Sequence, residues 1–120
     1  MIRYSLREDG IFYVSISGTV SVEDISKFLL AFEKLSNLPK DLLALYDLRN
    51  VDMNLTVKDL IVLSELSIKV TAPFNSVKTS FLVENPKLTA YSILFTEELM
   101  PENTMRKVFS TEEAALNWLK

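Results

Sequence analysis

Apolar and polar positions alternate from the start of the chain. Ile2, Tyr4 and Leu6 are interleaved with Arg3, Ser5 and Arg7, the period-two pattern of a strand with one face on a core. Asp9-Gly10 supplies a turn, and alternation resumes from Ile11 to Thr19. There Phe12, Val14 and Ile16 share one side, while Tyr13, Ser15, Ser17 and Thr19 share the other. An antiparallel hairpin is predicted. The period then changes: Ser21 and Asp24 have capping-box spacing, and Ile25, Phe28, Leu29, Phe32 and Leu35 recur as on one helix face until near Asn37, ahead of Pro39.

Leu42 to Tyr46 is apolar on both faces, as in a central strand of a parallel sheet, and a loop is expected from Asp47 to Thr56. Thr56 with Asp59 repeats the capping spacing and opens a helix carrying Leu60, Ile61, Leu63, Leu66 and Ile68, finished before Pro73. Val77 to Glu84 reads as a strand. Asn85-Pro86 then starts a helix with Leu88, Tyr91, Leu94 and Phe95 on its inner stripe, because Asn caps and Pro presets the first turn. Thr104 to Phe109 is the last strand, and Ser110 with Glu113 is expected to cap a closing helix that buries Ala115, Trp118 and Leu119. The order is ββαβαβαβα. Strand-helix units that wind in one sense place every helix on one face of the sheet and leave the other face bare.

Composition narrows the class. With 120 residues, 48% apolar and 24% charged, residues 1–120 form a single α/β domain, long enough to bury about 65% of its unfolded surface. A net charge of −3 lacks the cationic excess that phosphate-backbone contacts need, so nucleic acid is not expected as a partner. Histidine and cysteine are absent, which removes imidazole, thiolate, disulfide and Cys/His metal chemistry and favours binding over catalysis. Neither a catalytic residue nor a cofactor or metal site is read from the sequence. The first residues lack a signal-peptide pattern and no apolar run is long enough to span a bilayer, so a cytoplasmic location is expected. Asn54-Leu55-Thr56 fits a glycosylation sequon and is read as chance.

Two local patterns, together with the element order, resemble the STAS domains, and especially their SpoIIAA-like bacterial branch. Asp47-Leu48-Arg49-Asn50-Val51 is similar to a strand-end Asp-Leu-x-x-Val, and Phe109 to Leu119 is similar to a closing Phe-x-x-x-x-x-Ala-x-x-Trp-Leu. The resemblance implies a mostly parallel sheet with an N-terminal hairpin and helices packed mainly on one face. It also implies a regulatory or interaction module. In regulatory members a Ser beside an Asp at the start of the following helix is phosphorylated. Here Thr56 stands in the place of that Ser, Leu55 in the place of the Asp, and Lys58 near a usual Gly, so the hydroxyl is kept without its neighbours.

Asp47, Arg49, Asp52 and Thr56 are therefore the candidate binding loop, at the carboxyl edge where open α/β sheets take ligands. The plainer reading is an internal ion pair for Arg49 and a helix cap for Thr56, with phosphorylation of Thr56 as its alternative. Tyr46, Phe74, Phe81, Tyr91, Phe95 and Trp118 are enough aromatic surface to line an apolar pocket, or equally to fill a core. STAS domains also resemble part of the CRAL-TRIO lipid-transfer fold, which implies a lipid or other small apolar ligand. The bare sheet face, carrying Tyr13 with either Thr79, Phe81 and Val83 or Lys78, Ser80 and Leu82, would dock a protein partner or a second copy in a homodimer. The expectation is a non-enzymatic interaction or regulatory module. A lipid or apolar-ligand module is the alternative, and a carboxylate-dependent enzyme the third reading.

Overall fold

A computed structural model describes residues 1–98 and 100–120. Nine elements follow in the expected order: β1 (Ile2–Leu6), β2 (Ile11–Thr19), α1 (Val22–Phe32), β3 (Asp41–Asp52), α2 (Val57–Thr71), β4 (Ser76–Leu82), α3 (Pro86–Thr96), β5 (Thr104–Phe109) and α4 (Glu112–Leu119). The strands lie side by side in chain order, β1 antiparallel to β2 and every later pair parallel. The hairpin turns on Gly10, whose φ of 85° suits a residue without a Cβ and lets its N–H donate to Arg7 O at 3.0 Å.

Alternation sorts the side chains as the hydrophobic pattern requires. Phe12, Val14, Ala44, Val77 and Phe81 share a core with Phe28, Leu29 and Phe32 of α1, Leu63 and Val70 of α2, and Leu88 of α3. The helices start where the capping residues stand. Ser21 and Thr56 make reciprocal boxes with Asp24 and Asp59, and Asn85 accepts from the Lys87 and Leu88 amides ahead of Pro86.

Three expectations are corrected. First, β3 does not end near Tyr46 but runs to Asp52, so the segment expected as a loop is strand apart from its last few residues. Ser15 pairs with Asp47 but Ser17 pairs with Asn50, leaving one extra residue on β3. This bulge puts Leu48 and Val51 on the same core, three positions apart, and breaks the alternation that would have revealed the strand.

Second, the far sheet face is not bare. Helices α1, α2 and α3 pack on one face, while α4 crosses the other, where Ala115 and Leu119 join Ile11, Tyr13, Leu45 and Leu82 in a second core. The single-sense rule governs a helix between two parallel strands; α4 follows the last strand and is free of it. The face with Lys78, Ser80 and Leu82 is the one it covers: Ser80 Oγ donates to Ala115 O at 3.0 Å and Lys78 Nζ to Trp118 O at 2.8 Å. Third, Thr111 rather than Ser110 caps α4, its hydroxyl accepting from the Ala114 amide at 3.2 Å.

Candidate functional site

The sheet and the three helices above it do not close completely. Between them lies a partly open cavity of about 100 Å³, floored by Ala44, Tyr46, Thr79 and Phe81 and roofed by residues of α1, α2 and α3 such as Leu29, Leu63 and Tyr91. An engineered apolar cavity of about 150 Å³ holds a benzene, so a space of this size takes a group of a few carbons, beyond the small voids of a close-packed interior. The lining is apolar except for a few groups: the hydroxyls of Ser67, Thr71, Thr79, Ser92 and Thr104, the phenols of Tyr46 and Tyr91, and the guanidinium of Arg106.

Tyr46 sits between the rings of Phe28 and Phe81, at centroid distances of 6.2 and 5.6 Å. It lies deep in the protein yet retains accessible area, because that area opens into the cavity. Burial drives its phenol well above the ordinary tyrosine range, so it stays a neutral hydrogen-bond donor. The Tyr91 hydroxyl accepts from the Leu55 amide at 3.1 Å and ties α3 to the segment before α2.

Arg106 is the one guanidinium in this lining. It stands on the edge strand β5 between Thr104 and Val108, and Val108 packs on the same core. Its Nη1 donates to Ser64 Oγ at 3.0 Å and to Phe95 O at 3.1 Å, and its Cζ lies over the Phe95 ring, 4.1 Å from the ring centre. Among the described residues no carboxylate reaches ion-pair distance of it. Burial pushes its pKa down to about 10, partly opposed by the neighbouring Tyr46 and Glu98.

The four loop candidates are not brought together as one site. Asp47 and Arg49 lie on β3 toward α4, where Arg49 Nε and Nη2 grip the two carboxylate oxygens at 3.0 and 2.9 Å. The same carboxylate accepts the Arg49 amide, and this set of bonds holds Asp47 below the usual carboxylate range. Arg49 Nη2 also approaches Glu112 Oε1 at 3.8 Å. Asp52 ends β3 with its carbonyl accepting from the Val20 amide at 3.0 Å and its side chain exposed. Thr56 caps α2: its hydroxyl accepts from the Asp59 amide, and Asp59 Oδ2 accepts from the Thr56 amide, both at 3.0 Å.

Of the aromatic residues expected at a pocket, Tyr46, Phe81, Tyr91 and Phe95 line the cavity. Phe74 packs on Phe32, and Trp118 lies on the other face against Phe109 and Lys78. Sequence reasoning missed Arg106, although the alternation of Thr104, Arg106 and Val108 against Met105, Lys107 and Phe109 would have placed it inward. A second, more open hollow lies between β1 and α1, bounded by Tyr4, Asp24, Lys27 and Phe28 among others. Among the described residues no helix is long and apolar enough to cross a membrane.

No curated protein matches the sequence. An uncharacterised protein of the DUF3478 family with a SpoIIAA-like fold, from Shewanella loihica PV-4, superposes with a TM-score of 0.65 at 18% identity over 100% of this chain and 93% of that one. That likeness establishes the architecture: a mixed five-stranded sheet with an antiparallel hairpin at one edge and four helices. Residues 11–120 match the SpoIIAA-like family, and with nearly its whole length inside that match the chain belongs to the SpoIIAA-like family.

Proposed function

We propose that this domain is a non-enzymatic binding module that takes a small, largely apolar molecule into the cavity between the sheet and α1, α2 and α3. The observation that carries this reading is the cavity itself: apolar, partly open and floored by Tyr46 and Phe81. Small-molecule sites have this character, concave and apolar with a few polar groups that fix orientation. Asp47 and Arg49 satisfy each other, so the reading assigns them structure and not chemistry. Docking of a protein partner or a second copy was expected from an uncovered sheet face. Helix α4 packs on part of that face, where Tyr13 and Asp47 are buried and Arg49 is tied to Asp47, which leaves less of it open to hydrophobic self-association.

Native mass spectrometry tests this reading. Protein stripped of lipid and then exposed to a cell lipid extract is expected to acquire a discrete bound mass. Protein that carries no ligand as isolated and acquires none from the extract would overturn the proposal.

A further inference from the structure

Arg106 brings a positive charge into an apolar space, and its bonding leaves one edge of the guanidinium idle. Nη1 is committed to Ser64 Oγ and Phe95 O, and Phe95 covers one face of the plane. No described residue accepts from Nε or from Nη2. Those two nitrogens form the edge that Arg49 uses on Asp47 in this same protein, with parallel bonds of 3.0 and 2.9 Å to one carboxylate. Arginine favours such planar two-point contact with carboxylates. Neither nitrogen is sealed from solvent, so the edge is open to a ligand carboxylate, which supplies an opposite charge in place of water.

Size restricts the rest of the ligand. A space of about 100 Å³, set against the roughly 150 Å³ that holds a benzene, encloses a few carbons beside Arg106 and is too small for two acyl tails, so the rest of a chain leaves by the opening. Resting on the reading of the cavity as a ligand site, we propose that its occupant is a single-chain fatty-acid anion. Its carboxylate pairs with the Nε/Nη2 edge of Arg106, and its first carbons lie on the floor made by Tyr46 and Phe81.

Isothermal titration calorimetry with decanoate, decanol and decyltrimethylammonium, each below its micelle concentration, separates chain from charge. For the wild-type protein decanoate is expected to bind about tenfold or more tighter than decanol, with the cationic analogue weakest. Arg106→Met is expected to bring decanoate within about twofold of decanol, and Arg106→Lys, which keeps charge but loses the fork, to fall between. The comparison of the three probes on the wild type stands even if a variant fails to fold. Equal binding of decanoate and decanol overturns the anion inference and leaves the apolar cavity reading standing; binding of none of the three overturns both. Cosedimentation with phosphatidylglycerol vesicles that is lost in Arg106→Met, without decanoate binding, overturns the single-chain assignment.

Discussion

Tyr13 on β2 donates a 2.6 Å hydrogen bond to Glu112 Oε1 in the first turn of α4, joining positions 99 residues apart in sequence. The bond ties the closing helix to a strand of the opening hairpin. With Glu112 about half exposed, Tyr13→Phe is expected to cost about 1 kcal/mol in denaturant unfolding. Burial first, and then the contact with Glu112, pushes the Tyr13 phenol up to about 12. A folded pKa above the unfolded one means that its contribution is intact below about pH 10 and is lost as pH rises toward 12. Alkaline titration of phenolate absorbance should therefore show one fewer late-ionising tyrosine in Tyr13→Phe.

On the same face, Ser80 is fully buried and donates to Ala115 O at 3.0 Å. Ser80→Ala is expected to destabilise by about 1 kcal/mol, since the removed donor leaves a small void as well as a lost bond. Protection of the α4 amides from hydrogen exchange should fall more than that of α2.

Asp47 is held in its charged form chiefly by the Arg49 side chain, so its folded pKa lies below that of the unfolded chain. The unfolded state then binds the proton more readily. The stabilisation is present above pH 3.8, the ordinary value, and is lost as pH falls through the folded pKa. Asp47→Asn should flatten the acid limb of the stability curve and lower stability at neutral pH, as read by thermal unfolding across a pH series.

The parts of the fold legible in the sequence are those where one local rule acts alone. Ser21, Thr56 and Asn85 begin helices because a side-chain acceptor stands before a helical stripe, and the hairpin turns at Asp9-Gly10 for a similar reason. The end of β3 was hidden because the bulge adds a residue between Asp47 and Asn50, and a period-two pattern cannot continue through it. The position of α4 was hidden for another reason: no following strand dictates which face it takes, and the decision rests on Ser80, Lys78 and Tyr13, each of which reads locally as an ordinary strand residue. Four of the cavity aromatics could be named in advance. Arg106 could not be singled out by residue type, because only the tertiary placement of Ser64, Phe95 and Glu98 shows which contacts it makes and which it lacks.

At Thr56 the structure supplies a complete capping box, so the hydroxyl already has a partner in the Asp59 amide. Thr56→Ala is expected to cost about 1 kcal/mol, whereas Thr56→Asp, still a good cap, should cost little. If Thr56 were also a phosphorylation switch, Thr56→Glu would change ligand or partner binding; unchanged binding in that variant would retire the switch.

Ser92 reports on the cavity from the α3 side. It is buried, it lines the space beside Tyr91 and Phe95, and its hydroxyl donates to no described acceptor. Ser92→Val exchanges that hydroxyl for two methyl groups with nearly the same helix propensity. If the space is as the geometry describes, the added carbons bury without displacing neighbours, and stability rises by about 1 kcal/mol. The same filling shortens the room left for an acyl chain, so decanoate should bind more weakly even though Arg106 is untouched. A variant that unfolds earlier than the wild type would mean that the walls already meet there, and a variant that is more stable but binds decanoate unchanged would place the ligand elsewhere.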